Sequence, residues 1–177
     1  PTFKQAKSIA WDYMKQFTAK IPHTKFNETE LRVDLPNGSR ITLLGSESPD
    51  GLRGIYLDGC VIDEYANVNS KLFPEIIRPA LSDRKGYCVF IGTPMGMNNN
   101  FYELYQHAQS AEDWFNYKAK ASDTKIVDDD ELIKAKEVMG EKKYMQEFEC
   151  DWIANIEGSV YGDVIAKLDD DKQLTRV

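Results

Sequence analysis

The sequence predicts an α/β protein with a mainly parallel sheet. Two short apolar runs carry this prediction: Cys60-Val61-Ile62 and Cys88-Val89-Phe90-Ile91. Each is continuous, rich in strand-favouring residues and too short for a helix, which is how a strand buried on both faces of a parallel sheet reads. A third observation points to where such a sheet keeps its chemistry. The first run ends in Asp63-Glu64 and the second in Gly92-Thr93-Pro94. Ligands of open α/β sheets gather at the carboxyl ends of strands.

The remaining elements follow in chain order. Phe3, Ala6, Ile9, Ala10, Tyr13 and Phe17 recur at helical spacing, so residues 3–19 read as one amphipathic helix ended by Pro22. Leu31, Val33 and Leu35 alternate with Arg32 and Asp34. Pro36-Asn37-Gly38 then turns the chain into a second apolar segment, Arg40 to Leu44, giving a β-hairpin. Residues 45–54 form a loop rich in Gly, Ser, Asp and Pro. A helix over about 70–81 carries Pro74 and Pro79, which split or kink it. Asn98-Asn99-Asn100 caps a helix through Tyr102, Tyr105 and Ala108. Trp114 to Lys120 reads as a strand. Asp128 with Glu131 forms a capping box for a helix stopped by Gly140. A short helix over 141–148 and a strand over 150–153 complete the pattern.

Composition bounds the function. A length of 177 residues suffices for a domain with a real core. The net charge of −7 argues against a surface that coats nucleic acid, while leaving room for local contacts by a few Lys or Arg. No apolar stretch approaches the roughly 20 residues that cross a bilayer, so no membrane is expected. No signal-peptide pattern follows Pro1, and the absence of an initiator Met reads as a fragment or a processed chain. Cys60, Cys88 and Cys150 are widely spaced without a CxxC pair, so zinc is not expected. They read as reduced core residues in a cytoplasmic protein.

Asp63 and Glu64 are suited to phosphate chemistry. Hydrolysis of a phosphoanhydride needs a cation against the phosphate oxygens and a group that orients water. Asp63 would hold Mg²⁺, directly or through water, and Glu64 would polarise the nucleophile. The blander reading is two carboxylates ending a strand. Thr93 would sit beside them as a hydroxyl that senses the phosphate or the water; otherwise Gly-Thr-Pro is ordinary turn chemistry. Arg53, within Gly51-Leu52-Arg53-Gly54, lies on the loop before the first buried strand. It could reach the phosphates of a neighbouring subunit's nucleotide, or be a surface arginine. His23 and His107 are isolated. Asp128-Asp129-Asp130 reads as a charged helix start and Asp169-Asp170-Asp171 as a solvated run. Tyr102 and Tyr105 read as core rather than as a base-stacking platform.

Taken in order, Gly51-Leu52-Arg53-Gly54, Cys60-Val61-Ile62-Asp63-Glu64-Tyr65-Ala66, Phe90-Ile91-Gly92-Thr93-Pro94-Met95-Gly96 and Asn100-Phe101-Tyr102-Glu103-Leu104-Tyr105 resemble the ATPase half of the large terminase subunit of tailed double-stranded-DNA phages. The likeness covers about residues 1–162, and Pro1-Thr2 resembles the end of the strand after the P-loop helix. It implies an incomplete P-loop (ASCE) ATPase core over 1–110, a small lid or linker subdomain over 111–156, and a linker over 157–177 towards an RNase H-like nuclease. It also implies ATP and Mg²⁺ as cofactors. Asp63-Glu64 matches Walker B with Glu64 as the catalytic glutamate, Thr93 the coupling motif, and Arg53 a trans-acting arginine finger. The implied partners are double-stranded DNA, the small terminase subunit, the portal protein and further copies in a ring on the procapsid, within the host cytoplasm.

One part of the pattern is missing. No G-x-x-x-x-G-K-[ST] occurs in the 177 residues, so the phosphate cradle is expected before Pro1, the nuclease carboxylates beyond Val177, and little activity from this piece alone. A helicase-like ASCE ATPase and a non-catalytic α/β interaction module are the competing readings.

Overall fold

The computed structural model describes residues 2–153. Within them the chain is α/β, with a two-stranded parallel sheet and a three-stranded antiparallel one. It divides into two compact units between Ile91 and Gly92. The acidic run at Asp169–Asp171 and the predicted linker over 157–177 lie outside the described residues.

The first unit opens with α1 (Phe3–Ile9) and α2 (Trp11–Thr18), separated at Ala10. Thr2 and Gln5 form a capping box: the Thr2 hydroxyl accepts the Gln5 N–H, and Gln5 Oε1 accepts the Thr2 N–H. The predicted single helix is therefore two, and its predicted apolar face is turned outwards. Tyr13 and Phe17 are exposed and stack on each other. The reason is Trp11. Its side chain is buried with Leu31 and Val33, with Met14 packed alongside, and its indole N–H donates to Glu28 Oε2 at 2.6 Å. Trp11 is the largest side chain on the helix and its N–H finds a partner in this buried position, so it sets the rotation of the helix.

The hairpin forms as predicted and gains a strand. β1 (Lys25–Asn27), β2 (Arg32–Asp34) and β3 (Arg40–Thr42) pair antiparallel in sequence order, with Phe26 opposite Val33 and Val33 opposite Ile41. β1 carries only one apolar residue, Phe26, which is why alternation did not reveal it. Residues 45–54 are a loop containing a 3-10 turn, Pro49–Leu52.

β4 (Gly59–Ile62) and β5 (Tyr87–Phe90) pair parallel, with Gly59 opposite Tyr87, Cys60 opposite Cys88, Val61 opposite Val89 and Ile62 opposite Phe90. The predicted burial on both faces is not met. Ile62 is buried and Cys60, Cys88 and Phe90 are half-buried on one face, whereas Val61 and Tyr87 on the other are 59% and 66% exposed. Val89, on that same face, is 42% exposed. The Tyr87 ring lies across Gly59, where a Cβ would fall 2.5 Å from Tyr87 Cζ. A side chain at Gly59 would displace that exposed ring.

The crossover between the two strands is helical and interrupted, as its prolines predict. Leu72–Ile77 is a π-helical turn and α3 (Arg78–Ser82) follows it. Pro79 has no N–H to return to Glu75, and its ring crowds that carbonyl. The Arg78 N–H reaches back to Phe73 instead. Leu72, Ile76, Ile77 and Leu81 are buried along this segment.

The second unit contains α4 (Asn100–Ala108), α5 (Ala121–Thr124), α6 (Asp129–Met139) and α7 (Glu141–Phe148). Asn99 caps α4, accepting the N–H groups of Phe101 and Tyr102 at 3.0 and 3.1 Å. Phe101, Tyr102 and Tyr105 pack around Trp152, so the tyrosine pair is core, as predicted. α6 stops at Gly140, whose φ of 78° suits glycine alone. Three expectations fail here. Asp128 has N-cap backbone angles but makes no side-chain cap bond. The segments 114–120 and 150–153 are irregular, not strands. Among the described residues of the second unit no strand pairs with either segment, and an unpaired strand leaves its backbone groups to water. The first is held by Asn116 Nδ2 donating to Ala108 O and by Lys118 over the Tyr105 ring.

Candidate functional site

The parallel strand pair delivers Asp63 and Glu64 to a strand end through a specific backbone device. In a regular parallel ladder one residue bonds to the neighbours on either side of its partner. Here the Ile91 N–H donates to Ile62 O at 2.9 Å, and Ile91 O accepts the Tyr65 N–H at 3.0 Å. Two residues, Asp63 and Glu64, thus stand where one would fit. This is a β-bulge, an arrangement over-represented beside active sites because it re-aims a side chain.

The extra residue adopts a left-handed backbone: Glu64 has φ 52° and ψ 44°. A non-glycine residue there costs of order 1 kcal/mol or more. The surroundings hold it in place. Asp63 Oδ1 accepts the Glu64 N–H at 3.0 Å. Tyr65, the next residue, is 2% exposed and packs edge-on against Phe90 at 4.7 Å between ring centres. Phe73 packs on the same Phe90 from the crossover helix, also at 4.7 Å. An aromatic floor thus anchors both sides of the bulge, while both carboxylates remain exposed.

The donor set fits a hard divalent cation only in part. Among the described residues no group of three or more His, Cys, Asp or Glu could hold a metal. Two adjacent carboxylates suit Mg²⁺, which commonly takes one or two protein oxygens and completes its octahedron with water and phosphate.

Arg53 follows the 3-10 turn on the loop before β4, as predicted, but its guanidinium is engaged within its own unit. Its Nε donates to Asp50 Oδ1 at 2.9 Å, and its terminal nitrogen lies 3.6 Å from Glu75 Oε2. Glu75 belongs to the π-helical turn. Arg53, Tyr56, Glu75, Ile76 and Pro79 line an open groove of about 250 Å³. Asp50 is an i−3 neighbour in the sequence, whereas nothing in the sequence marks Glu75 as a partner. Thr93 falls two residues after Ile91, at the opening of the second unit, and is half-buried. The structure brings Asp63 and Glu64 together on one bulge; Arg53 stands apart with its two carboxylates. His107 packs edge-on against Trp114, and His23 is exposed.

Comparisons with known proteins agree with this architecture. The large terminase ATPase domain of Thermus phage P74-26 aligns over 86% of this chain and 74% of its own, at 22% identity and a TM-score of 0.66. The large terminase of a thermophilic bacteriophage, solved in complex with ADP, aligns over 85% of this chain and 39% of its own, at 15% identity and a TM-score of 0.70. These two likenesses are of fold. In sequence, the terminase large subunits of Thermus phage G20c and Thermus virus P23-45 are each 42% identical over 60 residues, which is 34% of this chain and 12% of theirs. The family model for the N-terminal part of the T4likevirus-type terminase large subunit matches residues 1–163. The chain therefore belongs to the terminase large subunit family, within its N-terminal region.

Proposed function

We propose that this chain supplies the Walker B half of an ATP-hydrolysing motor that packages double-stranded viral DNA. The observation that carries the reading is the bulge: two exposed carboxylates at a parallel strand end, one of them in a strained backbone conformation. Strain held by buried aromatics is expected where function, rather than stability, selects the geometry. The ADP complex of a family member of the same fold supports a nucleotide as ligand.

In this reading Asp63 would hold Mg²⁺, directly or through water, and the cation would neutralise phosphate oxygens. Glu64 orients the attacking water and accepts its proton. Arg53 would stabilise developing charge on a neighbouring subunit's nucleotide, which requires it to leave Asp50 and Glu75. Thr93 would couple the state of the phosphate to the second unit. The stretch 111–156 acts as the lid or linker. DNA, the small terminase subunit, the portal protein and further copies in a ring are the partners, and a nuclease belongs to the same parent protein.

The 177 residues contain no P-loop motif, so the chain alone should bind ATP weakly and turn it over negligibly. Titration of the purified chain with ATP and Mg²⁺ tests this: tight binding with steady turnover would overturn it. In a longer chain that carries a P-loop, Glu64→Gln should lower hydrolysis about 10²- to 10⁴-fold, the usual contribution of a positioned base, while sparing ATP binding. Unchanged turnover would remove Glu64 from the mechanism.

A further inference from the structure

The parallel register sets Cys60 of β4 directly opposite Cys88 of β5. Both side chains are on the face that carries the buried Ile62, and both cysteines are free and half-buried. Neither has a part in phosphate chemistry. We propose that Cys60 and Cys88 form a cross-strand chelating dithiol, a site for one thiophilic trivalent arsenical or comparable soft ion.

Three features support chelation over either alternative. First, the two thiols meet as cross-strand neighbours on one face, at a single position of the ladder. That contact holds Cys60 below the ordinary thiol range and pushes Cys88 well above it. The first sulfur is therefore disposed to act as a nucleophile, and its partner is already within reach. Second, paired strands stand about 4.7–4.9 Å apart, and side chains rise roughly perpendicular to the sheet. That spacing lies within the roughly 4.4–6.8 Å between Cα atoms that two bridged cysteines show, so both sulfurs can reach one common atom. A direct S–S bond needs an oxidant, whereas a central atom joins the two sulfurs at the native register without one. Third, soft thiolate donors select soft ions over Mg²⁺, so the site is chemically separate from Asp63 three residues on.

The reaction balances without an oxidant. Phenylarsine oxide forms two As–S bonds as two S–H bonds break, its oxygen leaves as water with both protons, and arsenic stays trivalent. The test uses the whole chain and phenylarsine oxide itself, read by mass spectrometry and by free-thiol count. The expected product is one arsenic per chain with loss of two titratable thiols. It should be released by a small dithiol but not by an equal excess of a monothiol. Chelation should bind about a hundredfold or more tighter than one sulfur alone, by effective concentration. Cys60→Ala and Cys88→Ala should each lose that advantage, and Cys150→Ala should keep it. A thermal melt of each variant separates loss of the site from loss of the fold. An adduct that survives in Cys60→Ala, release by monothiol, reaction only after unfolding, or thiol loss without arsenic would each overturn the proposal.

Discussion

Val33 and Val61 are the same residue type, both inside a strand and both in the first compact unit, yet one is 0% exposed and the other 59%. Val33 sits in an antiparallel sheet sealed by Trp11 and Leu31. Val61 sits on the open face of the parallel pair, two residues before Asp63. The unit thus holds a sheet sealed at its central strand, without candidate chemistry, and a sparsely covered one that presents the carboxylates. Strand chemistry alone does not decide which is which. The side chains that close over each sheet do.

The largest stability effect should therefore fall on the sealed sheet. Trp11→Ala removes the indole from the Leu31–Val33 cluster and leaves a cavity; loss of a buried aromatic typically costs about 3–5 kcal/mol. Urea unfolding of the variant should show the midpoint drop accordingly. A midpoint within error of the parent would mean that the cluster is not the stabilising core of this unit.

A smaller, pH-dependent effect belongs to the same anchor. The indole N–H bond, followed by that of Lys15, holds the Glu28 carboxyl below the ordinary carboxylate range. A depressed folded-state pKa gives stability that is present above the unfolded value and is lost as the pH falls through the folded one. Thermal melts of the parent against Glu28→Gln should differ near neutrality and converge in acid. Parallel curves at every pH would show that the carboxylate is not linked to folding.

This contrast also explains what the sequence could reveal. That the carboxyl ends of Gly59–Ile62 and Cys88–Ile91 form a site is the proposal; the two segments themselves were legible as strands because short runs of strand-favouring apolar residues mark them. The bulge at Asp63-Glu64 was not. It arises from where Ile91 places its two hydrogen bonds, a register property that no single strand encodes. The direction of α2 was misread for a related reason. Counting apolar residues favoured the Tyr13–Phe17 face, while one tryptophan with a polar partner fixed the opposite one. Glu75 escaped notice because its contact with Arg53 crosses from loop to helix.

The ion pairs around Arg53 should be weak. Arg53 and Glu75 are about half exposed and Asp50 more so, and exposed pairs contribute about 0–1 kcal/mol. Asp50→Asn combined with Glu75→Gln should therefore shift chemical unfolding by less than about 1 kcal/mol. That weakness is what a residue required to change partners needs. A loss of more than about 2 kcal/mol would instead make Arg53 a structural clamp, and would weaken its case as a finger.

The smallest effect should come from the residue that opened the comparison. Val61→Ser replaces two exposed methyl groups with one hydroxyl that water can satisfy, so unfolding should move by no more than about 0.5 kcal/mol. Val33→Ser makes the same chemical change where the hydroxyl is buried and costs several times as much. The pair separates two views of the parallel sheet. If the open face is solvated in this chain, the two variants differ sharply. If something covers it in solution, Val61→Ser acquires a cost approaching that of Val33→Ser, and that cost should rise with protein concentration when the cover is a second copy. Unfolding both variants at two concentrations distinguishes these outcomes, because only an intermolecular cover responds to mass action.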